Sequence, residues 1–281
     1  MWIASDSSFP EIQDLLDVPV EMIGGLPIAV MDRAQSARLM IDIAAARRNS
    51  NQPALVFTSA NGQVLSMCAQ DSHARKLFMD ADVIHADGMP LVFASQWLCR
   101  KPLPERVATT DLFHDVARLA EMRGATFYFL GATDATIALA VRRTLSLYPR
   151  LRICGYRSGY FGVDQEPEIV ASINAARPDI LWVGMGAPRE QAFALRNRRL
   201  LHGVGIIKTS GGLFDFLSGS ARRAPNWMQS AGLEWAFRTI LEPRRLARRY
   251  LMTNPHALFL LLTQTEQAGA AVDRSGKYDL D

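Results

Sequence analysis

The 281 residues suit one large domain or one domain with an appendage, and a hydrophobic content of 49% is enough for a sizeable core. A net charge of +3 singles out no class of partner, and three well-separated cysteines (Cys68, Cys99, Cys154) argue against a disulfide framework and for a reducing, cytosolic compartment. The five histidines form no HxxH or HExxH pair, so no zinc site is expected; no signal peptide is expected either, and the best apolar run, residues 257–262, is about a third of the roughly 20 residues a spanning helix needs.

Residues 1–19 are acidic and irregular and read as a leader. Residues 20–29 read as a strand or hairpin turning at Gly24-Gly25. Residues 32–48 carry helical spacing (Ala37, Met40, Ile41, Ile43, Ala44) behind an Asp32 cap. Residues 54–57 form a buried strand that ends in the polar run Thr58-Ser59-Ala60-Asn61-Gly62. A helix is predicted over 64–79, then a strand over 81–84, the stretch His85-Ala86-Asp87-Gly88-Met89-Pro90, and a helix over 91–98. A loop with Glu105-Arg106 leads to a helix over 110–123. Strands over 126–130, 151–155, 180–183 and 204–207 then alternate with helices over 135–147 and 167–176 and a further helix that follows the 184–191 stretch and runs to about 200. After Gly219 the strand signals stop, and residues 225–250 read as helix interrupted near Pro243.

The strands are short continuous apolar runs, as expected where helices cover both faces of a sheet. The fold class is therefore α/β: a Rossmann-like, mostly parallel sheet covered on both faces, plus a helical C-terminal appendage. The expected divisions are a leader (1–19), the α/β catalytic domain (20–218), an Arg-rich appendage (219–264) and a flexible tail (265–281).

An acid followed by Gly at the carboxyl end of a strand is a common place for chemistry in α/β sheets, so Asp87 is the first candidate. The competing reading is that Asp87 only caps the next helix. Gly131, Gly184, Gly186, Gly211 and Gly212 sit where strands hand over to helices, and backbone N–H groups at such places can cradle phosphates. There is no Walker A motif. The dinucleotide fingerprint also fails, because the sixth position from Gly184 is Arg189. Thr58, Ser59, Asn61, Asp87, Arg106, Arg189 and Gln191 could line one cleft. One acid among neutral hydrogen-bonding groups suits sugar recognition with a single general base. Glu190, at a helix start, has at least as good a claim to a structural role as to being a second acid. Downstream, Arg222, Arg223, Arg238, Arg244, Arg245, Arg248 and Arg249 are interleaved with Trp227, Trp235, Phe237 and Tyr250. That pattern favours a phosphate or an anionic membrane surface over a plain solvated face. Nucleic acid is not expected, since the rest of the chain has no basic excess.

Ser59-Ala60-Asn61, Ala86-Asp87-Gly88, Glu105-Arg106-Val107-Ala108, Gly159-Tyr160-Phe161, Gly184-Met185-Gly186-Ala187-Pro188, Arg223-Ala224-Pro225, Gly232-Leu233-Glu234-Trp235 and Glu242-Pro243-Arg244 occur in the order seen in the WecG/TagA/CpsF glycosyltransferases. The resemblance runs from about residue 20 to about residue 250. It implies an inverting, metal-independent transferase without a cofactor, moving a sugar from a UDP-sugar to a sugar on a polyprenyl diphosphate. Such enzymes work at the cytoplasmic membrane face in teichoic acid linker, capsule or exopolysaccharide assembly. The family's proposed base maps to Asp87, its Thr-x-Asn pair to Ser59 and Asn61 with Thr58 adjacent, and its loop Arg to Arg106. The arginines implied to grip the lipid diphosphate are Arg223, Arg238 and Arg244. The family's Pro-Lys-Gln-Glu reads Pro188-Arg189-Glu190-Gln191 here, which leaves open whether Glu190 or Gln191 does the work of the family Gln. A homo-oligomer is compatible with the sequence. Two rivals stand beside this reading: an NAD-linked oxidoreductase or epimerase of sugar nucleotides, and a non-enzymatic phosphate-binding membrane adaptor.

Overall fold

A computed structural model describes residues 17–48 and 50–265. Most of the expected leader and nearly all of the expected tail lie outside the described residues. Six short apolar strands form one parallel sheet: β3 (Leu55–Ala60), β4 (Val83–Ala86), β5 (Thr126–Gly131), β6 (Arg152–Arg157), β7 (Ile180–Gly184) and β8 (Ile206–Thr209). Their spatial order is β4-β3-β8-β7-β5-β6. Inner strands such as β7 and β8 are buried throughout, whereas the edge strand β6 is nowhere fully buried. A separate antiparallel hairpin, β1 (Val20–Ile23) and β2 (Leu26–Ala29), turns through Gly24 and Gly25 at φ 58° and 81°. Both angles are left-handed, which explains glycine at each position.

Strand residues alternate between two cores. Leu55, Phe57, Phe127, Phe129, Ile180, Trp182 and Ile206 face α1 (Arg33–Ala46), α5 (Thr109–Arg123), α6 (Asp134–Leu147) and α9 (Leu213–Leu217). Trp182 packs edge-on against Phe113 of α5, with ring centroids 5.0 Å apart. On the other face Val56, Leu130, Leu181, Val183 and Ile207 meet α2 (Gly62–Gln70), α7 (Glu166–Ala176) and α8 (Arg189–Asn197). The period of two thus decides which side each strand residue serves.

The helix expected over 64–79 is two helices, α2 and α3 (Ser72–Met79). Asp71 takes an extended backbone between them, and its carboxylate accepts from the amides of His73 and Ala74 to start α3. A capping side chain therefore breaks the run without Gly or Pro. The expected interrupted helix after 225 is three: α10 (Asn226–Ser230), α11 (Glu234–Leu241) and α12 (Pro243–Thr263). Gly232 at φ 74° separates the first two, and Pro243 opens the third.

Helix α12 folds back onto the sheet domain. Its Leu260 and Leu261 join the core containing Ile23, Leu26 and Leu65. Ser66 Oγ lies 2.9 Å from His256 Nδ1. The Gly25 amide donates to the Gln264 carbonyl at 2.8 Å and the Gly24 amide to Thr265 Oγ1 at 3.1 Å. Leu251, Met252, Phe259 and Leu262 of α12 are exposed, as is Ile240 of α11. Among the described residues no helix is long and apolar enough to cross a membrane.

Candidate active site

In a parallel sheet all carboxyl ends lie on one edge, and a crevice forms outside them. Here that edge opens into a cavity of about 850 Å³. Asp87 and Gly88 beyond β4, Ser59 and Asn61 at the end of β3, and Gly184 to Gly186 beyond β7 line its floor. The opposite wall comes from Glu234, Trp235, Arg238, Arg249, Tyr250 and Asn254 of α11 and α12. The volume falls within the range of small-ligand sites.

Asp87 does not cap α4 (Met89–Leu98): the N-cap is Gly88, and no side chain bonds there. Its amide donates to the Ala60 carbonyl at 2.8 Å, tying it to β3. Its Oδ2 accepts from the Thr109 amide at 3.2 Å, at the first turn of α5. That helix start is a favourable place for negative charge. Burial still raises the carboxyl pKa, against the pull of Arg106, Thr109 and Lys208.

Lys208 escapes the sequence reading, which ends the strand at 207. It is fully buried on β8, and its Nζ donates to Ser59 Oγ at 2.7 Å. Ser59 Oγ is 3.1 Å from Thr109 Oγ1. Burial lowers the Lys208 pKa to about 8, although Asp87 and Glu190 pull it back up. The one available signal is a lysine inside an otherwise apolar run.

Thr58 points to the other face and is fully buried away from the cavity. It accepts from Thr209 Oγ1 at 2.8 Å and Gln191 Nε2 at 3.0 Å. Asn61 both lines the cavity and caps α2 through the Val64 amide at 3.2 Å. Glu190 is buried beneath the two glycine loops. Its Oε2 accepts from the amides of Met185, Gly186 and Gly211, each at 3.0 Å. Burial raises its pKa, with these amides opposing. The amides of Gly186 and Gly211 are thus engaged by a carboxyl group of the chain itself, while both residues line the cavity. Gln191 anchors Thr58, while its own Oε1 is buried without a partner. Gly212 lines the cavity. Gly131 does not: a Cβ there would lie 2.2 Å from the Gly184 carbonyl oxygen, so its glycine serves strand packing.

The arginines divide. Arg106 lines the cavity but is held by Glu234 Oε2 at 2.8 Å and Gln229 Oε1 at 3.2 Å. Arg189 stacks 5.2 Å over Phe161, and Arg238 5.8 Å over Phe216. Arg249 bonds Tyr250 Oη at 3.2 Å. These last three line the cavity without an ion pair among the described residues. Arg223 lies outside the lining, bonded to both carboxylate oxygens of Asp111 and to Gln229. Arg244 is exposed near the start of α12, also outside it. The expected trio is thus not brought together; Arg238 has Arg249, from a later turn of α12, as its companion. No group of three or more His, Cys, Asp or Glu side chains among the described residues is placed to hold a metal ion.

The sequence model of the Glycosyl transferase WecG/TagA/CpsF family matches residues 21–270, spanning both the sheet and the helical wall of the cavity. The chain belongs to this family. Two relatives carry the name N-acetylglucosaminyldiphosphoundecaprenol N-acetyl-beta-D-mannosaminyltransferase. The one from Bacillus spizizenii is 32% identical over 200 residues, 71% of this chain and 76% of the relative. The one from Bacillus subtilis is 31% identical over 206 residues, 73% of this chain and 78% of the relative. The cavity lining carries the carboxylates Asp87, Glu190, Asp215 and Glu234 beside the guanidinium groups of Arg106, Arg189, Arg238 and Arg249.

Proposed function

We propose that the protein transfers a sugar from a UDP-sugar to a sugar carried on a polyprenyl diphosphate, with inversion and without a metal, in bacterial envelope or exopolysaccharide synthesis. The observation that carries the reading is that Asp87 shares one cavity with Arg189, Arg238 and Arg249, which make no ion pair among the described residues. Asp87 takes the proton of the acceptor hydroxyl, and a pKa raised by burial makes it a better base. The acceptor oxygen then attacks the anomeric carbon as the bond to UDP breaks. Glu190 is engaged by three amides, so a second carboxylate nucleophile for a double displacement is not available from it. Arg189, Arg238 and Arg249 balance the charge on the two diphosphates, the role a cation would otherwise fill. The relatives' names support N-acetylhexosaminyl transfer and a diphosphoundecaprenol-linked acceptor.

The exposed apolar side chains of α11 and α12 would rest on the cytoplasmic face of the membrane, where the lipid acceptor resides. Arg223 would brace this helical wall through Asp111, not grip the lipid. The test is UDP release from a panel of UDP-sugars with a short prenyl-diphosphate-linked N-acetylglucosamine and EDTA. Acceptor-dependent turnover that survives EDTA and falls about 10²-fold or more in Asp87→Asn is expected. Turnover unchanged in that variant removes Asp87 as the base.

A further inference from the structure

Lys208 takes no part in the chemistry described so far, yet it is the only lysine among the fully buried side chains described. It sits on β8, in register with Phe57 of β3, and does not line the cavity. Strand alternation puts Phe57 and Ser59, Val83 and His85, and Ile206 and Lys208 on the sheet face covered by α1 and α5. Asp87 continues that alternation beyond β4. An ammonium there is costly unless something compensates it. No carboxylate oxygen among the described residues lies within 4.0 Å of it. Its single hydrogen bond is to Ser59 Oγ.

We infer that Lys208 is a positioning residue for Asp87: its ammonium fixes Ser59, Ser59 and Thr109 form the hydroxyl step between them, and the charge holds Asp87 in its base form. The chain of contacts is short. Lys208 Nζ to Ser59 Oγ is 2.7 Å, Ser59 Oγ to Thr109 Oγ1 is 3.1 Å, and the Thr109 amide to Asp87 Oδ2 is 3.2 Å. Other charges face Asp87 from each neighbouring element. Arg106 comes from the loop before α5, and its guanidinium is shared with Glu234. Glu190 on α8 competes for the Lys208 charge from the far side. His85, one step below on β4, has neither ring nitrogen paired, and burial together with Lys208 keeps it neutral. Arg106 pulls on Asp87 more strongly but is shared with Glu234, so Lys208 is the cation that reaches Asp87 from within the sheet, where screening by solvent is weakest.

This inference rests on Asp87 being the base, and the test separates the two. Lys208→Met, Lys208→Arg and Glu190→Gln are compared with wild type by the pH dependence of UDP release. The acid limb of Lys208→Met is expected to move up by about one pH unit, with turnover well below its midpoint falling about tenfold and turnover well above it little changed. Lys208→Arg restores the limb. Glu190→Gln, which leaves the Lys208 charge unshared, moves it down. UDP affinity stays within about twofold in Lys208→Met, since the residue is outside the cavity. A limb that stays put, or an equal loss at every pH that arginine does not restore, overturns the role. Glu190→Gln keeps the question open to refutation if Lys208→Met fails to fold. If no UDP-sugar turns over even in wild type, the transferase reading has failed separately. Carboxyl ¹³C NMR, with Asp87→Asn for assignment, then reads the Asp87 titration directly; its midpoint unchanged in the Lys208 variants overturns the inference.

Discussion

Truncating Glu190 to alanine tests whether the two glycine loops are held by its buried carboxyl group. The side chain accepts from the amides of Met185, Gly186 and Gly211, which belong to the ends of two neighbouring strands. Each amide left without an acceptor costs about 1–3 kcal/mol. The loops border the cavity, so water can reach them, and the low end applies: about 3 kcal/mol for the three. Removing a buried carboxylate recovers part of this. Its folded pKa is raised, so its stabilising contribution is complete below the ordinary carboxylate range and is lost as pH rises through the folded value. The wild-type advantage over Glu190→Ala is therefore largest in acid and narrows toward neutrality. Urea unfolding across that range measures it, in a buffer with a large non-coordinating anion and again with added formate. Formate should return part of the loss in the variant and do nothing for wild type. A variant as stable as wild type at all pH values, with no response to formate, would refute this role of Glu190.

Other consequences can be checked alongside. Gly131→Ala places a methyl group 2.2 Å from the Gly184 carbonyl oxygen at φ 156°, and thermal unfolding should show a loss of about 2 kcal/mol or more. Arg249→Ala should raise the KM for the lipid-linked acceptor about tenfold, while Arg244→Ala stays within about twofold, because only the first lines the cavity. Leu251→Glu together with Met252→Glu should abolish co-sedimentation with anionic phospholipid vesicles and leave turnover of a short, soluble acceptor intact. Those side chains are exposed and outside the cavity.

The sheet and the position of Asp87 were readable because the strands are uninterrupted apolar runs that stop at polar residues. An acid after such a run falls on the carboxyl edge whatever the rest of the fold does. Lys208 was hidden by the same rule, since a charge at the end of an apolar run reads as the end of the strand when its buried hydroxyl partner lies on another strand. The partner of Arg223, Asp111, is 112 residues away in sequence, so no local pattern could separate a bracing arginine from a ligand-facing one. Glu190 and Gln191 are adjacent in sequence, but a helix turns them in different directions. One accepts from two loops and the other reaches across to Thr58 on β3. Asp71 splits a helix without any of the usual breakers, because an extended cap residue suffices.

The clasp between the Gly24-Gly25 turn and the carbonyl and hydroxyl of Gln264 and Thr265 joins parts of the chain 241 positions apart, and α12 supplies the wall facing Asp87. During synthesis the sheet can assemble while that wall is still unmade. A growing chain thus carries Asp87 on an open edge and encloses the cavity only when its last described helix has left the ribosome.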